Sequence, residues 1–450
     1  MTTSTRPLWQ RFAFFLMPLM LSNVLQSLSG TINTVYIGQM IGVEALAAVS
    51  VFFPIMLFMI SFVIGLSSGA TVLIGQAWGA RNLEKVKQVT GTTLTTAVVL
   101  GLVVAVLGGL FAREMLQLMG APESILEPAT AYARVVMIGG PGFFLFLTIT
   151  SILRGVGDTI TPLTTLVFSI AVGLVVTPAL IQGWFGLPQI GILAAAVAFI
   201  TGFVVVLIYL FFYLRWRKSP MAPDAALARH LRIDWPLLGL VLKLGLPAGV
   251  SMVVASISAI VIVGIVNRFG AEATAAYGAV NQVMSYVQFP AMSIGIAASI
   301  FAAQAIGARR IEDVGLVTRT AAIMNTVITG SFVLIAYLFS KNLVELFITD
   351  PAVVELTETL LHIVLWSVIV FGYGSILSAV MRASGDVWIP MGLSVLGIVA
   401  VEIPAALILS QWIGLNGVWI GYAMSFCGLL IFQGIYYFGF WRKKEIRALV

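Results

Sequence analysis

All but one of the 18 acidic residues lie in loops, tails or the ends of apolar runs; the exception is Glu402, in IVAVEIPAALIL. A carboxylate deep in hydrocarbon costs roughly 2.5–3.5 kcal/mol on insertion scales, so an acid kept there is a functional candidate by default. The chemistry open to it is to take up and release a proton, or to hold a cation. The structural alternative is a protonated carboxyl that only hydrogen-bonds a neighbouring helix. Pro404, two residues on, loosens the backbone and would offer carbonyls to a cation.

A second group is polar and uncharged. Asn23, Gln26, Ser27, Gly30, Asn33 and Thr34 recur in the first apolar run at helical spacing and so share one stripe, able either to glue helices or to line a wet cavity. Further on, Gln282, Ser285, Tyr286 and Gln288 stand beside Met284 and Met292. Amide dipoles, aromatic faces and soft thioethers suit a pocket for varied organic cations, although most Met and Phe of an apolar chain serve packing. Tyr36 and Tyr373 complete the candidate substrate set. An enzyme would need converging titratable groups. Instead His230 sits in a polar stretch, His362 lies near an outer helix end, and no metal-ligand spacing, nucleophile elbow or phosphate loop occurs. The expectation is a non-enzyme with no metal and no cofactor.

The elements that must position these residues follow from composition. Sixty per cent of the 450 residues are hydrophobic and 9% charged, with a mean hydropathy of +1.07. Soluble domains carry about a quarter charged residues, so lipid must be the main solvent here. Apolar runs of about 20 residues, each enough to cross a bilayer core, recur near 11–33, 46–74, 89–111, 135–153, 162–183, 190–214, 243–267, 279–303, 320–340, 361–381, 389–412 and 417–440. They predict an all-α membrane protein with twelve transmembrane helices. The first run is read as a retained helix, since no small-residue cleavage site follows it. The lone Cys427 lies in the last run and excludes an intramolecular disulfide. MIGGPGFF at 137–144, with two adjacent glycines and a proline, predicts a kink in the fourth helix.

Basic residues give the orientation. With a cytoplasmic N-terminus, only Arg113, Arg134, Arg268 and Lys341 of the 24 Lys and Arg fall outside, leaving 20 inside. The positive-inside rule then places both termini in the cytoplasm and explains the high pI without a nucleic-acid partner. Arg154 and Arg382, each followed closely by Gly-Asp, read as topology anchors and loop caps.

The chain also repeats itself. IGVEALAAVS at 41–50 returns as FGAEATAAYG at 269–278, GQAWGAR at 75–81 as AQAIGAR at 303–309, and LRGVGDTITP at 153–162 as MRASGDVWIP at 381–390. WFGLPQIGI at 184–192 returns as WIGLNGVWI at 412–420. Every pair is offset by 228 residues (269 minus 41, for example). Six helices per half is an even number, so the halves are parallel repeats related by a pseudo-two-fold axis along the membrane normal, an organisation in which transporters bind substrate between the halves and rock. The predicted division is an N-lobe at 1–214 with helices 1–6, a cytoplasmic linker at 215–238, and a C-lobe at 239–450 with helices 7–12. The AALARHLRI part of the linker is expected as a short amphipathic helix on the membrane surface.

These repeated motifs, with YIGQMIGVEALAAVS after the first span and LGLPAG at 244–249, resemble the multidrug and toxic compound extrusion (MATE) transporters over nearly the whole chain. The resemblance implies a V-shaped pair of six-helix lobes that export organic, often cationic, compounds against an inward flow of protons or sodium. Many bacterial members carry an aspartate fifteen residues after a first-span proline, and here Pro18 leads to Asn33. Others use a seventh-span glutamate or a tenth-span aspartate, and 244–267 and 362–382 contain no acid. Asn33 is therefore expected to line the N-lobe cavity as a neutral contact that takes no proton, and Glu402 to carry the coupling ion.

The function expected is secondary active efflux of cationic or neutral amphipathic compounds by cation-coupled antiport, with a proton favoured over sodium because one carboxylate suits a proton better. Its partners would be a small organic substrate, the coupling ion and membrane lipid, and the chain a monomer in the bacterial inner (plasma) membrane. The alternative is a flippase for a lipid-linked or amphipathic substrate, which should show a strongly basic central cavity; spans nearly free of Lys and Arg favour the exporter.

Overall fold

The computed structural model describes residues 7–450; Arg6, counted above among the cytoplasmic basic residues, lies outside them. Helix is the one kind of regular structure among the described residues, as it must be where no water can meet backbone polar groups. The first half holds α1 (Leu8–Tyr36, continued by a wide π turn at Ile37–Ile41), α2 (Val43–Gly79), α3 (Leu83–Leu118), α4 (Glu123–Ile138), α5 (Gly140–Gly155), α6 (Ile160–Gln182) and α7 (Leu193–Trp216). A one-turn helix, α8 (Ala225–Ala228), interrupts the linker. The second half holds α9 (Trp235–Val266), α10 (Ala271–Gly307), α11 (Glu312–Met324), α12 (Gly330–Leu338), α13 (Ser340–Glu345), α14 (Pro351–Val364), α15 (Ser367–Ala383), α16 (Trp388–Leu396), α17 (Ile403–Ile413) and α18 (Leu415–Gly439). Among the described residues ten helical stretches are individually long and apolar enough to cross a membrane, and two bent pairs bring the spans to twelve.

The bends are α4–α5, at 51°, and α14–α15, at 41°. The first is the predicted kink: Gly139 joins the helices and Pro141 opens the second. The other has neither glycine nor proline at its break, and the sequence did not announce it. There the Ser367 hydroxyl donates to the Val364 carbonyl at 2.5 Å, supplying locally the partner that the bent backbone withdraws. Gly139 and Ser367 are themselves 228 residues apart (367 minus 139), so the bend belongs to the repeat.

The linker departs from expectation. Its helix is only Ala225–Ala228, begun by Asp224, whose carboxylate accepts from the Leu227 amide at 2.7 Å. The helix expected over AALARHLRI is therefore a single turn. Leu227 is buried, and with Met221 and Pro223 it closes a small apolar cavity against α3, α5 and α7. The Lys87 ammonium donates to Asp224 at 2.6 Å and holds that carboxyl below the usual carboxylate range.

The chain forms two compact units. One comprises residues 21–74 and 82–246; the other comprises residues up to Met20, Gly75–Arg81 and Pro247–Val450. In the second unit the start of α1 packs Phe12 and Leu16 among Ile294, Ala298, Val380 and Met381. In the same unit the ends of α2 and α10 cross with no room for a side chain. A Cβ at Gly79 would stand 2.0 Å from the Gln304 carbonyl oxygen, and one at Gly307 would stand 1.8 Å from that of Gln76. Gly79 and Gly307 are equivalent residues of the GQAWGAR and AQAIGAR repeats, which explains why both keep glycine. Gln76 is fully buried and satisfied at both ends, donating to the Ala383 carbonyl at 2.8 Å and accepting from the Leu449 amide at 2.7 Å.

Candidate functional site

Within the unit that holds Pro247–Val450 lies a cavity of about 530 Å³, inside the range of roughly 300–1,000 Å³ typical of sites for small organic molecules. Five stretches of helix build its walls. From α10 come Asn281, Met284, Ser285, Gln288 and Met292, which the 3.6-residue period places on one face. From α15 come Phe371, Ser375, Ser378 and Arg382, again one helical stripe. Ser394 and Ile398 lead along the eleventh span to Glu402; α18 adds Trp419, Tyr422 and Ser425, and α9 adds Ser251.

Glu402 is 6% exposed, and its Oε1 accepts a hydrogen bond from the Ser258 hydroxyl at 2.6 Å. It makes no ion pair among the described residues. The backbone explains its placement: Gly397–Glu402 form a π turn that runs into α17, and Pro404 stands in the first turn of that helix. Proline lacks the amide that would bond the Ala400 carbonyl, so the helix widens there, as π turns at functional sites commonly do. Ser425 donates to the Gly397 carbonyl at 3.3 Å and ties the loosened turn to α18. Beside the carboxyl group, Trp419 stacks on Tyr422 with centroids 5.3 Å apart, and the Tyr422 hydroxyl meets that of Tyr277 at 3.1 Å. A buried acid next to aromatic faces is an environment for a cationic group.

The structure brings Ser285, Gln288 and Glu402 to this one cavity. It places Gln282, Tyr286 and Tyr373 elsewhere. Gln282 and Tyr286 sit one step round α10 from the Asn281–Ser285–Gln288 face, with the Tyr286 ring edge-on to Phe289 at 5.7 Å. Tyr373 lies off the Phe371–Ser375–Ser378 stripe, its hydroxyl 2.5 Å from that of Thr326. Gln26, Asn33 and Tyr36 belong to the other unit, spaced seven and three residues apart along α1; Gln26 is exposed, Asn33 and Tyr36 half-buried. His362 is joined to the Ser340 hydroxyl at 3.0 Å, with Glu358 accepting from the same hydroxyl at 2.6 Å. Among the described residues no group of three or more His, Cys, Asp or Glu is placed to hold a metal.

Sequence reasoning passed over Asn281, Tyr422, the serines of α15 and the eleventh span, and Arg382. For α15 the signal was present: Phe371, Ser375, Ser378 and Arg382 recur at helical spacing. Arg382 was expected as a topology anchor and loop cap; its guanidinium makes no hydrogen bond to the loop that follows, and it lines the cavity.

Known proteins agree with this architecture. The MatE family model matches residues 18–179 and 247–408, one copy in each half. The "Probable multidrug resistance protein YoeA" of Bacillus subtilis is 44% identical over 98% of this chain and 96% of its own length. The "Probable multidrug resistance protein NorM" of Thermotoga maritima is 26% identical over 96% and 92%. Among solved structures, an outward-facing multidrug resistance MATE family transporter of the MOP superfamily matches with a TM-score of 0.88 at 22% identity, covering 96% of this chain and 95% of that one. A mutant of the Vibrio cholerae MATE transporter VcmN also scores 0.88, at 21% identity over 97% and 98%. This chain belongs to the MATE family of transporters and is a multi-pass membrane protein with twelve spans in two six-helix halves.

Proposed function

We propose that this chain exports cationic or neutral amphipathic organic compounds from the cell by proton-coupled antiport, with Glu402 as the group that carries the coupling proton. The observation that carries this reading is the placement of Glu402 on the wall of an organic-sized cavity, with a hydroxyl and no cation as its partner. A proton and a positively charged substrate would then compete for one carboxylate, and such competition is the thermodynamic core of antiport: each ligand shifts the conformational equilibrium only by its differential affinity for the two states. The multidrug resistance named for the relatives supports substrates of varied structure. In this reading residues 1–214 and 239–450 are the moving lobes, 215–238 is the cytoplasmic linker, and a monomer acts in the cell membrane with both termini inside. Asn33 is a neutral substrate contact.

The test is uptake of a fluorescent organic cation into proteoliposomes under proton and sodium gradients imposed separately. A proton gradient should drive accumulation in the wild type. Glu402→Gln, which mimics the protonated acid permanently, should bind a cationic substrate more weakly and lose gradient-driven accumulation. Glu402→Asp should retain part of it with a displaced pH optimum. Near-normal accumulation by Glu402→Gln would reduce the residue to a structural hydrogen bond, and accumulation driven only by sodium would overturn the choice of ion.

A further inference from the structure

Arg382 and Glu402 line the same cavity with opposite charges, and no ion pair joins them. Among the described residues neither has a counter-charge. The Arg382 guanidinium makes no ion pair and no hydrogen bond there, although it is half-buried in the last turn of α15. Asp386, the acid closest to it in sequence, is already engaged, 2.8 Å from the Lys444 ammonium and 2.6 Å from the Tyr436 hydroxyl. Glu402 meets the Ser258 hydroxyl and no cation. Removing a charge from water without compensation is costly, and doing so twice in one cavity is costlier unless something from outside supplies the partners.

The surface between the two charges is suited to a molecule rather than to a direct ion pair. On α15 alone the wall runs from Phe371 to Arg382, about 16 Å at 1.5 Å per residue. Hydroxyls of Ser375, Ser378 and Ser394 line it, able to donate or accept as a ligand requires. Trp419 offers an aromatic face near the carboxylate, and its Nε1–H is buried without a partner.

We infer that this cavity takes an amphoteric organic compound, its cationic nitrogen at Glu402 and its carboxylate or other acidic group at Arg382. The inference deepens the export reading and rests on the cavity being the substrate site. It narrows the substrate class: of two compounds with the same cationic frame, the one that also carries an acid should bind more tightly, because only it compensates both buried charges. A guanidinium–carboxylate contact is charge-assisted and bidentate, which makes the expected preference roughly tenfold or more.

Tetramethylrhodamine and its ethyl ester differ by a single carboxylate and supply the probe pair. Their affinities for the purified full-length protein are to be measured by isothermal titration calorimetry near pH 7, with no gradient present, so coupling does not enter. The free acid should bind at least about tenfold more tightly than the ester in the wild type. Arg382→Gln should bring the free acid down to the level of the ester, whereas Arg382→Lys, which keeps the charge, should retain part of the preference. An unchanged elution profile on size exclusion separates lost recognition from lost folding. If the ester binds as tightly as the acid, or the preference survives in Arg382→Gln, the amphoteric assignment falls while the cavity reading stands. If neither dye binds, or a bulky Ser285→Trp in the cavity wall changes nothing, the cavity reading itself falls and takes the assignment with it.

Discussion

The two halves of the chain share a scaffold and differ in the polar groups they place on it. Gly79 and Gly307, Arg154 and Arg382, and the bends at Gly139 and Ser367 recur at one offset, and the glycines and bends serve crossings and breaks of the same kind. The site of Glu402 does not recur. Its equivalent 228 residues earlier is Leu174, and the equivalent of its partner Ser258 is Gly30. Asymmetry also runs the other way, since Asn33 corresponds to Val261. The difference separates what the repeat was kept for from what each copy was free to change. Backbone crossings tolerate no added atom and stay paired, whereas a buried carboxylate is expensive and is placed once, where a hydroxyl and a proline-loosened turn support it.

The largest effect should come from trying to move the site across the repeat. Glu402→Leu combined with Leu174→Glu transfers the carboxylate to the equivalent position, but Gly30 offers no hydroxyl there. Gradient-driven transport in proteoliposomes should be lost altogether. Uphill transport by the exchanged chain would mean that the halves are chemically interchangeable after all.

A smaller and matched effect is expected at the shared crossing. Gly79→Ala and Gly307→Ala each drive a methyl group into a backbone carbonyl, and overpacking of this kind costs about 1–3 kcal/mol, more where backbone must move. The apparent melting temperatures of the two purified variants should fall by similar amounts. A clear inequality would show that the two contacts, alike in geometry, bear different loads.

The smallest effect sharpens the contrast between Asn33 and Glu402. Asn33→Leu should weaken binding of a fluorescent cation by roughly fivefold, about the worth of one neutral hydrogen bond, and leave the pH dependence of transport as in the wild type. If that substitution abolishes the response to a proton gradient, coupling is not confined to the second half.

Much of this protein was legible in its sequence. Hydrophobic run length and the 228-residue offset are properties of the chain itself, and they yielded twelve helices and the two parallel halves, while the repeated motifs carried the resemblance to the family. Glu402 stood out for the same reason: a single acid inside an apolar run needs no neighbours to be noticed. What periodicity could not decide was rotation and contact. Which face of α10 meets the cavity depends on how that helix packs, and the packing chose Asn281, Ser285 and Gln288 over Gln282 and Tyr286. The hydroxyl on Glu402 comes from Ser258, 144 residues earlier in the chain. The bend before α15 has no glycine or proline to announce it, and Arg382 on the cavity wall looks in sequence like any basic residue at a helix end. Composition and spacing fix which segments become helices because those forces act along the chain; the cavity is made by side chains from five stretches of helix, and only the packing of distant segments sets where each of them points.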